Sequence, residues 1–397
     1  MDNYIRNFFD NKKRLIITFL IVITLVALFA RYKMYGFVSW DYEYCIEEWI
    51  KKITELGGFA SLKYEVGNYN IIYMLFLVLV SYIPIKHIIV VKTFSVIFDI
   101  IIAIFGALIV GLLLEKNKNK GLYQALVYTL LLFIPSMLLN SALWGQCDSI
   151  YTAFTLISIY YLLKEKYIKA FIFAGIAFAF KLQFIFILPL YLLIYFKKKD
   201  FSILNFLIIP LVNLITCLPA IIAGRNIGDC LMIYFKQTGA QNTSLTNNFP
   251  NIYKFIDMFF GANQGTVSIL ITIVVIGIIF LYIIYKDDKL SNKNIINYGL
   301  LFVIVMTQLL PYMHERYAFT AEILLCIYVI LNNGKGLIYL FITELAIGSE
   351  YLSFLSSINQ DYVYFLSFIY VVTSLLFCIK LVNNDINFTI SMIREDK

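Results

Sequence analysis

Ile71-Ile72-Tyr73-Met74-Leu75-Phe76-Leu77-Val78-Leu79-Val80-Ser81-Tyr82-Ile83, closed by Pro84, is the stretch on which the reading of the fold turns. It is apolar but only about 13 residues long, against the roughly 20 that a helix needs to cross a bilayer. If it crossed, Glu115-Lys116-Asn117-Lys118-Asn119-Lys120 would lie outside, against the preference of basic loops for the cytoplasmic face. A helix lying in the interface, or partly re-entrant, meets neither objection. The stretch then belongs to one long external loop, Arg31 to His87, whose densest part is Ser39-Trp40-Asp41-Tyr42-Glu43.

Nearly every other part of the chain is apolar enough to sit in lipid. Of 397 residues 61% are hydrophobic and 14% charged, and the mean hydropathy is +0.81. A soluble domain carries about 25% charged residues. The chain is therefore expected to be an all-α polytopic membrane protein, 1–397 forming a single membrane-embedded domain. Its six cysteines include no closely spaced pair, so they indicate neither a metal site nor a redox motif. The net charge of +7 carries little information here, because the placement of charge matters more than its total. No nucleic-acid partner is expected.

Outward from the loop, the spans follow from length and charge. Leu15 to Ala30 follows Arg6, Lys12, Lys13 and Arg14, which puts the amino terminus in the cytoplasm, and no cleavage site follows it. Ile88 to Leu114 descends to the basic loop. Gly121 to Asn140, Ile150 to Leu163, Ile168 to Phe180, Phe184 to Phe196 and Ile203 to Ala223 then alternate. Gly224 to Gly265 is a second large external loop. Val267 to Tyr285 descends to Lys286-Asp287-Asp288-Lys289, and Ile295 to Tyr312, Ala318 to Leu331, Leu337 to Ile347 and Tyr362 to Leu381 follow. About twelve spans result, with both termini, including Arg394 and Lys397, in the cytoplasm. The lysine clusters then fall on one face and the unusual polar residues on the other.

Those polar residues are the candidates for chemistry. Asp41 either takes a proton from an attacking hydroxyl or caps the helix Tyr42 to Leu56. Glu43, two residues on, is a candidate second acid, but Asp-x-Glu is a weak metal signal and no cofactor is expected. Lys92, Ser95 and Asp99 share one helix face, and Asp99, deep in an apolar run, is expected to pair with Lys92 or Lys181. Lys92 lies nearer the surface, within reach of a lipid-linked phosphate. Trp144-Gly145-Gln146-Cys147-Asp148 and Lys181-x-Gln183 are polar islands at apolar junctions, although Lys181 could simply snorkel. His314-Glu315-Arg316 offers an imidazole, an acid and a guanidinium fork suited to phosphate. His87 reads as interfacial.

The set Ser39-x-Asp41-Tyr42, Gly67-Asn68-Tyr69-Asn70, Lys92 with Phe98-Asp99, Trp144-Gly145-Gln146-x-Asp148-Ser149, Lys181-x-Gln183 with Pro189, and Met313-His314-Glu315-Arg316-Tyr317 resembles the GT-C glycosyltransferases. Within them it is most similar to bacterial proteins related to the GPI-anchor mannosyltransferase family, over Ser39 to Tyr317. The resemblance implies a GT-C fold and inverting transfer of a mannose-like hexose from a polyprenyl-phosphate-sugar donor to a glycan or glycolipid acceptor. The transfer would take place on the external face of the plasma membrane. It implies Asp41 as the base, with Lys92, Gln146, Asp148, Lys181, Gln183, His314, Glu315 and Arg316 binding the donor. Two departures stand out. Ile71-Ile72 follows Asn70 where two prolines are common, and the loop has Asp41-Tyr42 in place of an Asp-Asp pair. Two rival classes remain: a lipid-linked-sugar flippase or other transporter, and a polysaccharide polymerase or ligase.

Overall fold

The structure is a computed structural model that describes residues 12–238, 244–260, 264–286, 290–356 and 360–383. Expectations resting on Arg6, Asp287, Asp288, Lys289, Arg394 and Lys397, and on the middle of the loop Gly224 to Gly265, lie outside these residues. Within them the chain is almost wholly helical. The exception is a parallel pair of two-residue strands, Thr246–Asn247 against Met313–His314. Among the described residues six helices are long and apolar enough to cross a membrane, or seven if one bent pair is a single span.

In chain order the principal helices are α1 Lys12–Met34, α2 Glu48–Glu55, α3 Ile71–Ser81, α4 His87–Leu113, α5 Lys120–Phe133, α6 Asp148–Leu163 and α7 Tyr167–Phe180. They continue with α8 Leu188–Lys198, α9 Ile203–Ile222, α10 Tyr253–Phe260, α11 Gly265–Lys286, α12 Asn292–Leu309, α13 Phe319–Leu331, α14 Leu337–Ser356 and α15 Gln360–Asn383. Each expected span overlaps at least one of these helices, and six of the helices meet the crossing criterion. Those that fall short of the crossing criterion are shorter or less apolar, and three of them, α6, α12 and α13, bury most of their residues. A helix packed on all sides is shielded from lipid by its neighbours, so it tolerates polar groups that a lipid-facing helix does not. In contrast, α1 buries only Ala27 and Arg31 and leaves Ile21, Leu25 and Phe29 exposed. In water such a surface would be an association patch; in a bilayer it is the expected outer wall.

The helices gather into two compact units, Met1–Phe184 with Ile203–Ala240, and Ile185–Ser202 with Gln241–Lys397. In the first unit α6 packs on α4 and α7, α5 on α4 and α1, and the middle of α9 on α7. In the second, α12 packs against α13, α11, α8 and α15, and α14 lies along α15.

Two boundaries differ from expectation, each for a physical reason. The segment Gly121 to Asn140 is not one straight helix: it bends by 48° between Lys120–Phe133 and Pro135–Trp144. Pro135 has no N–H to give and forces Ile134 into an extended conformation (φ −61°, ψ 130°). The segment expected at Leu337 to Ile347 runs on to Ser356. Within that extension the Glu350 carboxylate is buried, is paired with Lys254, and accepts from the Ser367 hydroxyl at 2.8 Å. α3 is 11 residues, too short to span as an α-helix, and buries Ile71, Tyr73, Met74, Leu77, Val78 and Val80.

Candidate functional site

The first unit builds its polar centre on the loop that leads from α1 to α3. Ser39 is the residue that caps the following helical turns, its Oγ accepting from the Tyr42 N–H at 3.2 Å. Asp41 is already helical (φ −60°, ψ −39°) and makes no capping bond. The alternative that Asp41 caps the helix Tyr42 to Leu56 is therefore corrected: Ser39 reaches the N–H, and the Asp41 carboxylate is left to point elsewhere. The turn Tyr42–Glu47 that follows is a π-helix, as is Leu138–Trp144. Such wide turns recur at functional sites, and here they flank the same carboxylate.

Asp41 Oδ2 accepts two hydrogen bonds, from Trp144 Nε1 at 2.9 Å and from Gln146 Nε2 at 2.7 Å. Its Oδ1 accepts from none of the described residues, and the side chain is partly exposed. Gln146 is itself held twice more. Tyr69 Oη donates to its Oε1 at 3.4 Å, and Ser95 Oγ donates to its backbone carbonyl at 2.7 Å. Gly145, between the two donors, has φ +86°, and both its N–H and that of Gln146 donate to the Asn140 carbonyl. Only glycine takes that conformation without strain, and the turn aims Trp144 and Gln146 at one oxygen.

The rest of the first loop supports this arrangement. A Cβ on Gly67 would stand 2.7 Å from the Trp49 ring. Trp49 meets the Tyr69 ring edge-on at 5.7 Å, which positions the tyrosine over Gln146. Asn70 caps α3 through Oδ1 and donates to Asn213 Oδ1 at 2.8 Å. Tyr42 is buried and donates to Glu47 Oε2 at 2.7 Å; burial and the neighbouring carboxylate push its phenol well above the ordinary range. Glu47 also lies 3.4 Å from His87 Nδ1. Glu43 is exposed. Among the described residues no three His, Cys, Asp or Glu side chains are placed to hold a metal ion.

The buried charges of the first unit take partners that differ from those read in the sequence. Asp99 pairs with neither lysine; its Oδ2 accepts from Arg31 Nε at 2.9 Å and from Ser141 Oγ at 2.5 Å. Lys92 Nζ donates to the carbonyls of Phe37 (2.6 Å), Met34 (3.2 Å) and Tyr35 (3.5 Å), so it caps the end of α1 and holds the start of the loop. A cation at a helix carboxyl end also complements the helix dipole. Lys181 forms a buried ion pair with Asp148, whose other oxygen accepts from Asn140 Nδ2 at 3.0 Å. Its ammonium also lies 5.9 Å from the Tyr151 ring centre. Gln183 Oε1 is buried with no hydrogen-bond partner among the described residues.

In the second unit, Met313 and His314 form the short strand and the chain then turns into α13. Glu315 is fully buried, accepts from Arg316 Nη1 at 2.7 Å, and lies 3.8 Å from His314 Nδ1. Burial alone would raise its carboxyl, but the His314 contact and the Arg316 charge outweigh this and hold it below the usual Glu range. Glu315 thus orients Arg316. His314 remains 39% exposed and meets Tyr317 edge-on at 5.3 Å.

Sequence reasoning picked out Asp41, Gln146, Asp148 and Lys181 but not the residues that join them. In the sequence Arg31 reads only as the start of the external loop; the signal available was that Asp99, so deep in an apolar helix, needs a cation. The donor role of Trp144 left no signal, since it depends on a contact 103 positions away, and that of Asn140 depends on the turn that brings it back to Asp148, eight positions on.

The helices and their exposed apolar faces define a multi-pass α-helical membrane protein. The chain matches no protein-family model and no curated protein.

Proposed function

We propose that the protein is an inverting glycosyltransferase of the GT-C type that uses a polyprenyl-phosphate-linked hexose, with Asp41 as general base. One observation carries the reading. A partly exposed carboxylate is fixed through one oxygen by two side-chain donors, and the other oxygen has no partner among the described residues. Asp41 Oδ1 takes the proton of an acceptor hydroxyl as that oxygen forms its bond to the anomeric carbon. The bond from that carbon to the phosphate oxygen breaks on the opposite side, and polyprenyl phosphate leaves with the electron pair. A positioned base contributes roughly 10²–10⁴-fold to such a step.

The chemistry of the remaining residues divides the other roles. Trp144, Gln146 and Tyr69 position the base. Lys92 and the Asp148–Lys181 pair hold the framework around it, since their charges already have partners. Arg316 and His314, on the buried Glu315, are the groups suited to the donor phosphate. We place the site on the outer face of the membrane, with a glycan or glycolipid as acceptor.

The test is transfer from a panel of polyprenyl-phosphate hexoses to lipid and glycan acceptors, catalysed by the full-length protein in nanodiscs. Asp41→Asn is a clean variant because both donors converge on one oxygen, which the amide retains. Turnover should fall by roughly 10²–10⁴-fold with donor binding kept. Wild-type turnover in this variant would end the proposed mechanism.

A further inference from the structure

α14 and α15 are both long and apolar enough to cross the membrane, and they pack along one another. Where α14 begins and α15 ends, the turn at residues 332–336 and the two helices enclose an open groove of about 560 Å³. That volume lies within the range of small-molecule sites. Its inner wall is aromatic. Tyr339 and Phe377 stack at 4.2 Å and are nearly buried. Gly336, at φ +95°, lets the turn close on this wall, since an added Cβ would stand 3.0 Å from the Tyr328 ring. The outer lip is apolar and open: Leu337 is 56%, Ile338 78% and Leu376 61% exposed.

Charge is gathered at the same end. Lys335 and Lys380 line the groove and are exposed, with no carboxylate paired to either among the described residues. Lys293, in the first turn of α12, is a third cation close by. Burial, and then repulsion from Lys335, lowers its ammonium below the ordinary value. The ends of two spanning helices lie at headgroup depth, where Lys favours contact with anionic lipid. A free inorganic anion would leave the apolar wall and lip unused, and a neutral lipid would leave the cations unanswered.

We propose that this groove binds an anionic phospholipid of the surrounding bilayer. Its phosphate would lie between Lys335 and Lys380 and an acyl chain against Leu337, Leu376 and Phe377. The site is independent of the glycosyltransferase reading. Native mass spectrometry of the full-length protein, released from micelles with equal phosphatidylglycerol and phosphatidylcholine, reads the occupant directly. Wild-type protein should retain phosphatidylglycerol preferentially. Lys335→Gln/Lys380→Gln, on exposed side chains, should weaken retention by about 25-fold, about fivefold for each lysine. Thr373→Trp should fill the groove and remove the bound lipid with both lysines in place. Equal retention of the two lipids would overturn the proposal, as would undiminished phosphatidylglycerol binding by the double variant. Displacement by millimolar inorganic phosphate would assign the cations to a free anion, and a polyprenyl-phosphate adduct in place of phospholipid would reject a bilayer lipid as the occupant.

Discussion

Trp144 donates its indole N–H to the Asp41 carboxylate at 2.9 Å, across 103 positions of the chain. With Gln146 beside it, this contact turns an acid next to a helix start into a group of fixed direction. Hydrogen bonds to a charged group contribute about 1.5–3 kcal/mol each. Trp144→Phe removes the donor and, because Trp144 is buried, also leaves a small cavity. We expect some loss of thermal stability and a fall of about tenfold in turnover with little change in KM, because positioning is lost and binding is not. A purely structural indole would lower the melting temperature and leave kcat intact.

The Arg31–Asp99 pair joins the end of α1 to the middle of α4, and both side chains are buried. Removing one member strands the other charge, which costs about 3–5 kcal/mol. Arg31→Met and Asp99→Leu alone should each lower thermal stability sharply. The double variant should recover most of the loss, since an apolar pair replaces an ion pair at little net cost. A double variant as unstable as the singles would show that the pair does more than neutralise itself.

Arg316 is held by Glu315 through one guanidinium nitrogen. A lysine there cannot contact Glu315 and grip a phosphate in a fork at the same time. Arg316→Lys should weaken binding of the polyprenyl-phosphate sugar about tenfold while expression and fold persist. Unchanged donor affinity in Arg316→Ala would remove this residue from the proposed site.

Topology can be read with single cysteines in a variant lacking the six native ones. Cysteines at Asn119 and Lys198 should resist an impermeant thiol reagent in intact cells, and those at Lys63 and Ser356 should react. Labelling at Asn119 would mean that α3 completes a crossing, and the proposed one-sided placement of the polar residues would fail.

The amino-acid sequence by itself determined the class of protein and the helical segments. Both depend on local composition: long apolar runs, few charges and lysine clusters between them. It also singled out Asp41, Gln146, Asp148 and Lys181, because a polar residue at an apolar junction stands out within a few positions of itself. Partner choice was decided only by the tertiary structure. Ser39, not Asp41, reaches the Tyr42 N–H; Arg31, not a lysine, meets Asp99; and Lys92 closes the end of α1. The first is a local choice within one turn, three residues long, whereas the other two depend on distances set by packing between segments far apart in the chain. In a low-dielectric interior, a charge takes whichever complementary group the packing brings within about 3 Å, and that distance is not written in the order of the residues.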